Sequence, residues 1–135
     1  MRLFIDTGAF IALIDSDDEN HKMAKTFYKT ATEKGSRFVT SNFVVCETMK
    51  YLGARVSHSV AVAFRENLKK SGLIEIITVT PHIEDVAFAI FRQYSDKDFS
   101  FTDCTSFSIM KFLKLTRAFA FDRHFEQFDN LSRLP

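Results

Sequence analysis

The chain alternates short apolar runs with longer segments whose apolar residues recur every three or four positions. Arg2–Ile5 is an apolar run of strand length that stops at Asp6, and Thr7-Gly8 reads as a turn. Ala9–Ile14 is apolar on all sides, as a buried helical turn is, and Asp15–Asn20 is a polar loop. From His21 to Lys34, the residues Met23, Ala24, Phe27 and Ala31 fall at helical spacing, and Gly35 stops the helix. Arg37–Thr40 predicts a second strand. Ser41 or Asn42 then caps a helix reaching about Tyr51, with Val45, Thr48, Met49 and Leu52 as its apolar stripe. His58–Ser71 is another amphipathic helix, stopped by Gly72, and the β-branched run Ile74–Thr80 is a third strand ended by Pro81. Pro81–Tyr94 predicts a helix with Val86, Ala89, Ile90 and Phe91 facing inward. After the charged loop Ser95–Phe99 come a helix over Ser100–Leu115 and a fourth strand, Arg117–Phe121, ending at Asp122. Leu131–Leu134 has the character of a short edge strand.

Strands alternating with helices predict an α/β protein, a parallel sheet covered on both faces. Repeats, low-complexity segments and linkers are missing, and 135 residues suit one domain, residues 1–135. The hydrophobic fraction of 46%, with 16 Phe, supplies a core without help from disulfides and excludes a disordered chain. No apolar run is long enough to span a membrane and no secretory signal is visible, so a soluble, cytoplasmic protein is expected. Cys46 and Cys104 have neither CxxC spacing nor paired histidines, which points to small buried residues rather than a zinc site.

In parallel α/β sheets, sites form outside the carboxyl ends of the strands. Asp6 and Asp122 both fall there. Glu47 lies in the second turn of the helix after the second strand, and Asp103 in the first turn of the helix before the fourth. Each acid has an ordinary structural use as well. Asp6 can cap a turn, Glu47 can be solvated, Asp103 sits in a capping-box pattern with Ser100, and Asp122 can open the Arg123–Phe125 turn. It is their joint placement that points to one cleft. Converging carboxylates need protons or a cation at neutral pH. Oxygen-only ligands suit Mg²⁺ or Mn²⁺, and such ions activate water and stabilise the leaving oxygen of a phosphodiester, with no histidine base required. Net charge is only +1, but setting four carboxylates aside leaves 18 basic residues against 13 acidic ones, a balance consistent with an RNA partner.

Four segments carry a family resemblance: Leu3-Phe4-Ile5-Asp6-Thr7, Thr40–Thr48 around Glu47, Ser100–Phe107 around Asp103, and Ala118–Phe125 around Asp122. The stretch Asp18–Ala24 also matches a loop-to-helix junction. In this order and spacing, the chain resembles the PIN-domain family, especially toxin nucleases of the VapC type. The resemblance implies a three-layer α/β/α fold and Mg²⁺- or Mn²⁺-dependent RNA cleavage, with Asp6, Glu47, Asp103 and Asp122 as metal-binding and catalytic acids. It also implies a homodimer and a small antitoxin protein as partner.

Thr7, Ser41 and Ser106 are candidates to orient ligands or waters from behind the acids. His21 and the loop acids Asp96 and Asp98 read as structural or solvated residues. Lys111, Lys114, Arg117 and Arg123 are candidate contacts to the RNA backbone, with Lys69 and Lys70 a smaller patch. Competing readings are a catalytically silent scaffold, a DNA substrate, and a phosphatase using Asp6 as nucleophile. The last normally wants a second Asp two residues on, where this chain has Gly8.

Overall fold

The computed structural model describes residues 1–135. Five parallel strands form one sheet: β1 (Arg2–Ile5), β2 (Arg37–Ser41), β3 (Ile74–Ile77), β4 (Arg117–Phe119) and β5 (Ser132–Leu134), in the spatial order β3-β2-β1-β4-β5. Seven helices connect them: α1 (Thr7–Ile14), α2 (His21–Glu33), α3 (Asn42–Arg55), α4 (His58–Lys70), α5 (Pro81–Gln93), α6 (Phe101–Phe112) and α7 (His124–Gln127). The chain builds outward from β1 to β2 and β3, then returns to lay β4 against the other side of β1. That reversal opens a crevice at the carboxyl ends of β1 and β4, which is where α/β sheets bind ligands.

Alternation along each strand assigns the two faces. Leu3 pairs with Phe38, and Ile5 with Phe119, so these four share one face. Helix α2 covers it, setting Tyr28 against Phe38 (5.1 Å between ring centroids) and Phe27 against Phe119 (4.8 Å). Phe4 points the other way and meets Phe125 of α7, which in turn packs on Phe107 of α6. Helices therefore cover both faces, giving the three-layer α/β/α architecture. The second face carries a continuous aromatic cluster. Phe107 stacks on Phe128 at 4.6 Å with the rings 3° from parallel, and Phe99 meets both edge-on.

Several boundaries differ from the sequence expectation. Thr7 and Gly8 belong to α1 rather than a turn, because the Asp6 carbonyl already accepts the Ala9 and Phe10 amides. Helix α3 runs past Tyr51 to Arg55. Strand β3 stops at Ile77 instead of Thr80, since the Val79 amide donates to the Asn42 side chain at 2.8 Å, not to a strand. Helix α6 ends at Phe112, and Lys114 takes a left-handed turn (φ 56°). Strand β4 stops at Phe119, and α7 follows where only a turn was expected. Met23, Ala89 and Phe91 face solvent, not the core; Ala87 and Ile83 join Ile90 on the buried side of α5. Cys104 is buried as expected, but Cys46 is exposed.

Replacing Phe107, which is fully buried at the centre of the aromatic cluster, with Ala is expected to lower unfolding stability by about 3–5 kcal/mol. Met23→Ala, on the solvent side of α2, is expected to stay within about 0.5 kcal/mol of the parent. Urea denaturation reads both, and equal losses at the two positions would contradict this packing.

Candidate active site

The strand ends fix the acids. Asp6 follows β1, and its amide donates to the Phe119 carbonyl of β4 at 3.1 Å, locking it at the crevice. Although Asp6 occupies the cap position of α1, its side chain makes no capping hydrogen bond. The carboxyl is left without that ordinary structural use, and it is only 5% exposed. Burial first, then the charge of Asp103 and with it those of Glu47 and Asp122, push its pKa up from 3.8 to about 8, against the Thr7 amide, whose hydrogen bond lowers it. Asp103, Glu47 and Asp122 thus all bear electrostatically on Asp6. Glu47 lies at the exposed rim, on the second turn of α3.

Asp103 does two things at once. Its amide donates to Ser100 Oγ, and its Oδ2 accepts the Ser100 amide, both at 3.0 Å, closing the capping box that starts α6. The same Oδ2 accepts a hydrogen bond from His124 Nδ1 at 2.7 Å. Desolvation raises the Asp103 pKa, while the Ser100 amide and His124 pull against it. Asp122 Oδ1 accepts the His124 amide at 2.9 Å, opening the turn into α7, and lies 3.2 Å from His124 Nδ1. Ligand atoms of Asp103, Asp122 and His124 all lie within 4.8 Å of one another. The edge of Phe99 rests against the His124 ring, 5.5 Å between centroids, so the aromatic core holds the imidazole in place.

His124 is the site residue that sequence reasoning missed. It stands inside the Asp122-Arg123-His124-Phe125 segment, but no spacing rule ties a lone histidine to an acid 21 residues earlier. Among the polar neighbours, Ser41 is an ordinary cap, accepting the Val44 amide at 3.1 Å. Thr7 Oγ1 and Ser106 Oγ are different: both are buried with no hydrogen-bond partner. His21 is a satisfied helix-start residue, its Nδ1 2.7 Å from the Ala12 carbonyl oxygen. Asp96 and Asp98 are exposed.

The basic candidates separate. Arg123 adjoins Asp122. Lys111 and Lys114 stand near the far end of α6 from Asp103, about 12 Å or more along the axis. Arg117 opens β4 at the end opposite Asp122, and Lys69 and Lys70 end α4. Only Arg123 is beside the acids.

Asp103 and Asp122, with His124 beside them, are the residues that would hold a metal ion, and a donor set dominated by carboxylate oxygens fits Mg²⁺ or Mn²⁺. A phosphatase-type second aspartate has no place, since Gly8 lies within α1.

The fold and this acidic crevice define a class, and the chain belongs to the PIN domain family, whose model matches residues 3–131. Among curated relatives, VapC20 of Mycobacterium tuberculosis strain H37Rv, a 23S rRNA-specific endonuclease, is 32% identical over 123 residues, 91% of each chain. The crystal structure of M. tuberculosis VapC20, a sarcin–ricin loop cleaving toxin, superposes with a TM-score of 0.86 at 30% identity, covering 96% of this chain and 98% of that one. VapBC2 from Rickettsia felis, solved bound to a promoter DNA fragment, shares the fold with a TM-score of 0.74 at 11% identity, covering 99% and 98%. No helix here is long and apolar enough to cross a membrane.

Asp6 makes metal-free stability depend on pH. Its carboxyl stays protonated to about pH 8 in the folded chain but ionises near 3.8 when unfolded. Folding therefore takes up a proton between those values, and stability falls as pH rises through that window. Asp6→Asn removes this slope. In chelator, the variant is expected to be more stable than the parent above pH 8, by an amount on the order of a few kcal/mol, and to converge on it towards pH 4. Parallel pH–stability curves would contradict the burial of an Asp6 carboxyl that has no cation beside it.

Proposed function

We propose that this protein is a metal-dependent endoribonuclease that cuts a structured RNA loop, and that it is the toxin of a toxin–antitoxin pair. The observation that carries the reading is the buried Asp6 carboxyl surrounded by three further acids at the β1–β4 crevice. The 32% identity to VapC20 over 91% of the chain supports ribosomal RNA as the substrate class.

Asp6, Asp103 and Asp122 are the residues to hold Mg²⁺ or Mn²⁺, with Glu47 closing the rim. A bound dication supplies an activated water and neutralises charge on the phosphodiester. Asp6 gives up its proton when it becomes a ligand, because its raised pKa comes from burial and the neighbouring acids, both of which a bound cation offsets. His124 orients two acids at once through its Nδ1 hydrogen bond to Asp103 and its proximity to Asp122. Thr7 and Ser106 offer free hydroxyls to orient a ligand or water. Arg123 is placed to meet a phosphate near the acids, whereas Lys111, Lys114 and Arg117 would meet only a substrate that extends around the molecule.

The protein works in the cytoplasm as a homodimer, held inactive by a small antitoxin. A groove of about 660 Å³ between α1, α2 and α4 suits an amphipathic segment of such a partner. Phe10, Leu13, Val60 and Phe64 line it, and Lys25 and Lys29 stand at its edge.

With Mg²⁺, the parent is expected to cut a sarcin–ricin-type RNA hairpin and leave the matched DNA hairpin intact. Asp6→Asn and Asp103→Asn are expected to slow cleavage by about 100-fold or more, equivalent to roughly 2.7 kcal/mol of transition-state stabilisation. Adding the product of the adjacent reading frame is expected to suppress cleavage by the parent. Gel-based cleavage rates test this set, and full activity of Asp6→Asn under matched conditions would overturn the nuclease reading.

A further inference from the structure

Residues 121–127 carry Asp122 and His124 but have little local structure to hold them in place. Helix α7 has four residues, too few to be stable on its own. The β4–β5 ladder ends where the Ala120 amide donates to the Leu134 carbonyl at 3.1 Å, so the Phe121 carbonyl lies past it and meets no backbone amide. One side chain supplies both missing ties. Ala118 of β4 pairs with Phe4 on one side and Arg133 on the other, which sets Arg133 on the sheet face that α7 covers. From there Arg133 Nη1 donates to the Phe121 carbonyl at 2.7 Å, and Arg133 Nε donates to Glu126 Oε1.

We propose that Arg133 is a positioning residue, which fixes the Asp122 carboxyl and the His124 ring for metal binding without touching metal or RNA. Its two acceptors bracket the acidic turn: Phe121 directly precedes Asp122, and Glu126 follows His124 by two residues. A guanidinium holds its donors in a rigid planar fork, so one side chain ties both ends of the turn to β5 at a fixed angle. Glu126 pairs with the arginine, so this tie brings no unpaired positive charge to a site that has to accept a cation.

The path to the site is short. Asp122 Oδ1 accepts the His124 amide, and His124 Nδ1 donates to Asp103 Oδ2. A turn that drifts therefore moves Asp122 and His124 together and withdraws a hydrogen bond from Asp103. Phe125 is fully buried and holds the segment to the core whatever Arg133 does, so loss of the arginine loosens the turn and leaves the domain folded. The proposal rests on the reading of Asp103 and Asp122 as metal ligands, and its test reads metal affinity rather than cleavage.

Calorimetric titration of the full chain with Mn²⁺ decides it. Arg133→Ala is expected to weaken Mn²⁺ binding by about tenfold or more, as loss of a residue behind a metal ligand does. Guanidinium chloride at about 20 mM, far below the molar concentrations that unfold proteins, is expected to recover part of that loss in Arg133→Ala and to leave the parent unchanged, against the same concentration of NaCl. A variant that had merely lost stability would gain nothing from a denaturant. Arg133→Lys keeps the charge and the aliphatic stem but not the fork, and is expected to fold like the parent and still bind Mn²⁺ several-fold more weakly. Circular dichroism melts verify folding. Parent-like affinity in either variant, or a loss in Arg133→Ala that guanidinium does not touch, would overturn the positioning role while leaving the metal site standing. A parent that binds no Mn²⁺ would overturn both.

Discussion

The molecule is organised around a carboxyl group that its fold buries with no cation beside it and only the Thr7 amide favouring its charge. Asp6 sits at the end of the central strand, where the chain reverses direction across the sheet, and its side chain neither caps a helix nor meets a cation of the protein. Removing a carboxylate from water is costly unless something pairs with it. Instead of a lysine or arginine, the neighbouring elements bring Asp103, Asp122 and Glu47. An arrangement that worsens its own electrostatics in this way makes sense as a receptor for positive charge that arrives from outside the chain.

The surrounding structure is built to keep these acids where they are. Phe99, Phe107, Phe125 and Phe128 form a rigid aromatic layer under α6 and α7, and Phe99 carries the His124 ring on its edge. The capping box at Ser100 fixes the first turn of α6 and so the direction of the Asp103 carboxyl. His124 then links α7 to α6 through Asp103, while the Asp122 side chain starts the turn that places His124. Core packing, helix capping and site geometry are thus parts of one arrangement. The ordinary structural roles of Asp103 and Asp122 do not compete with a site role; they position the carboxyls for it.

Much of this was legible in the sequence because two local rules happen to coincide with the site. Apolar runs end at Asp6 and near Asp122, and parallel α/β sheets place ligands at strand ends. The capping-box spacing from Ser100 to Asp103 and the cap at Ser41 could be read directly, since both depend on neighbours three residues away. What could not be read depends on contacts between distant segments. The pairing of His124 with Asp103 spans 21 residues. Strand β3 ends early because Asn42, 37 residues away, captures the Val79 amide. Phe91 and Ala89 have apolar character and helical spacing, yet face outward, because the buried side of α5 is set by where α6 lies. Periodicity identifies an amphipathic helix but does not count how many of its faces are covered.

The most direct test of a proton-bearing Asp6 awaiting a dication is calorimetric titration with Mn²⁺ near pH 7, repeated in buffers of different ionisation enthalpy. Because Asp6 is protonated to about pH 8 in the metal-free fold, binding is expected to release close to one proton per ion from that carboxyl. The same titration of Asp6→Asn should show that proton missing and the affinity lowered. Tight Mn²⁺ binding with no proton release, or no binding at all, would contradict the claim that a cation compensates this carboxyl.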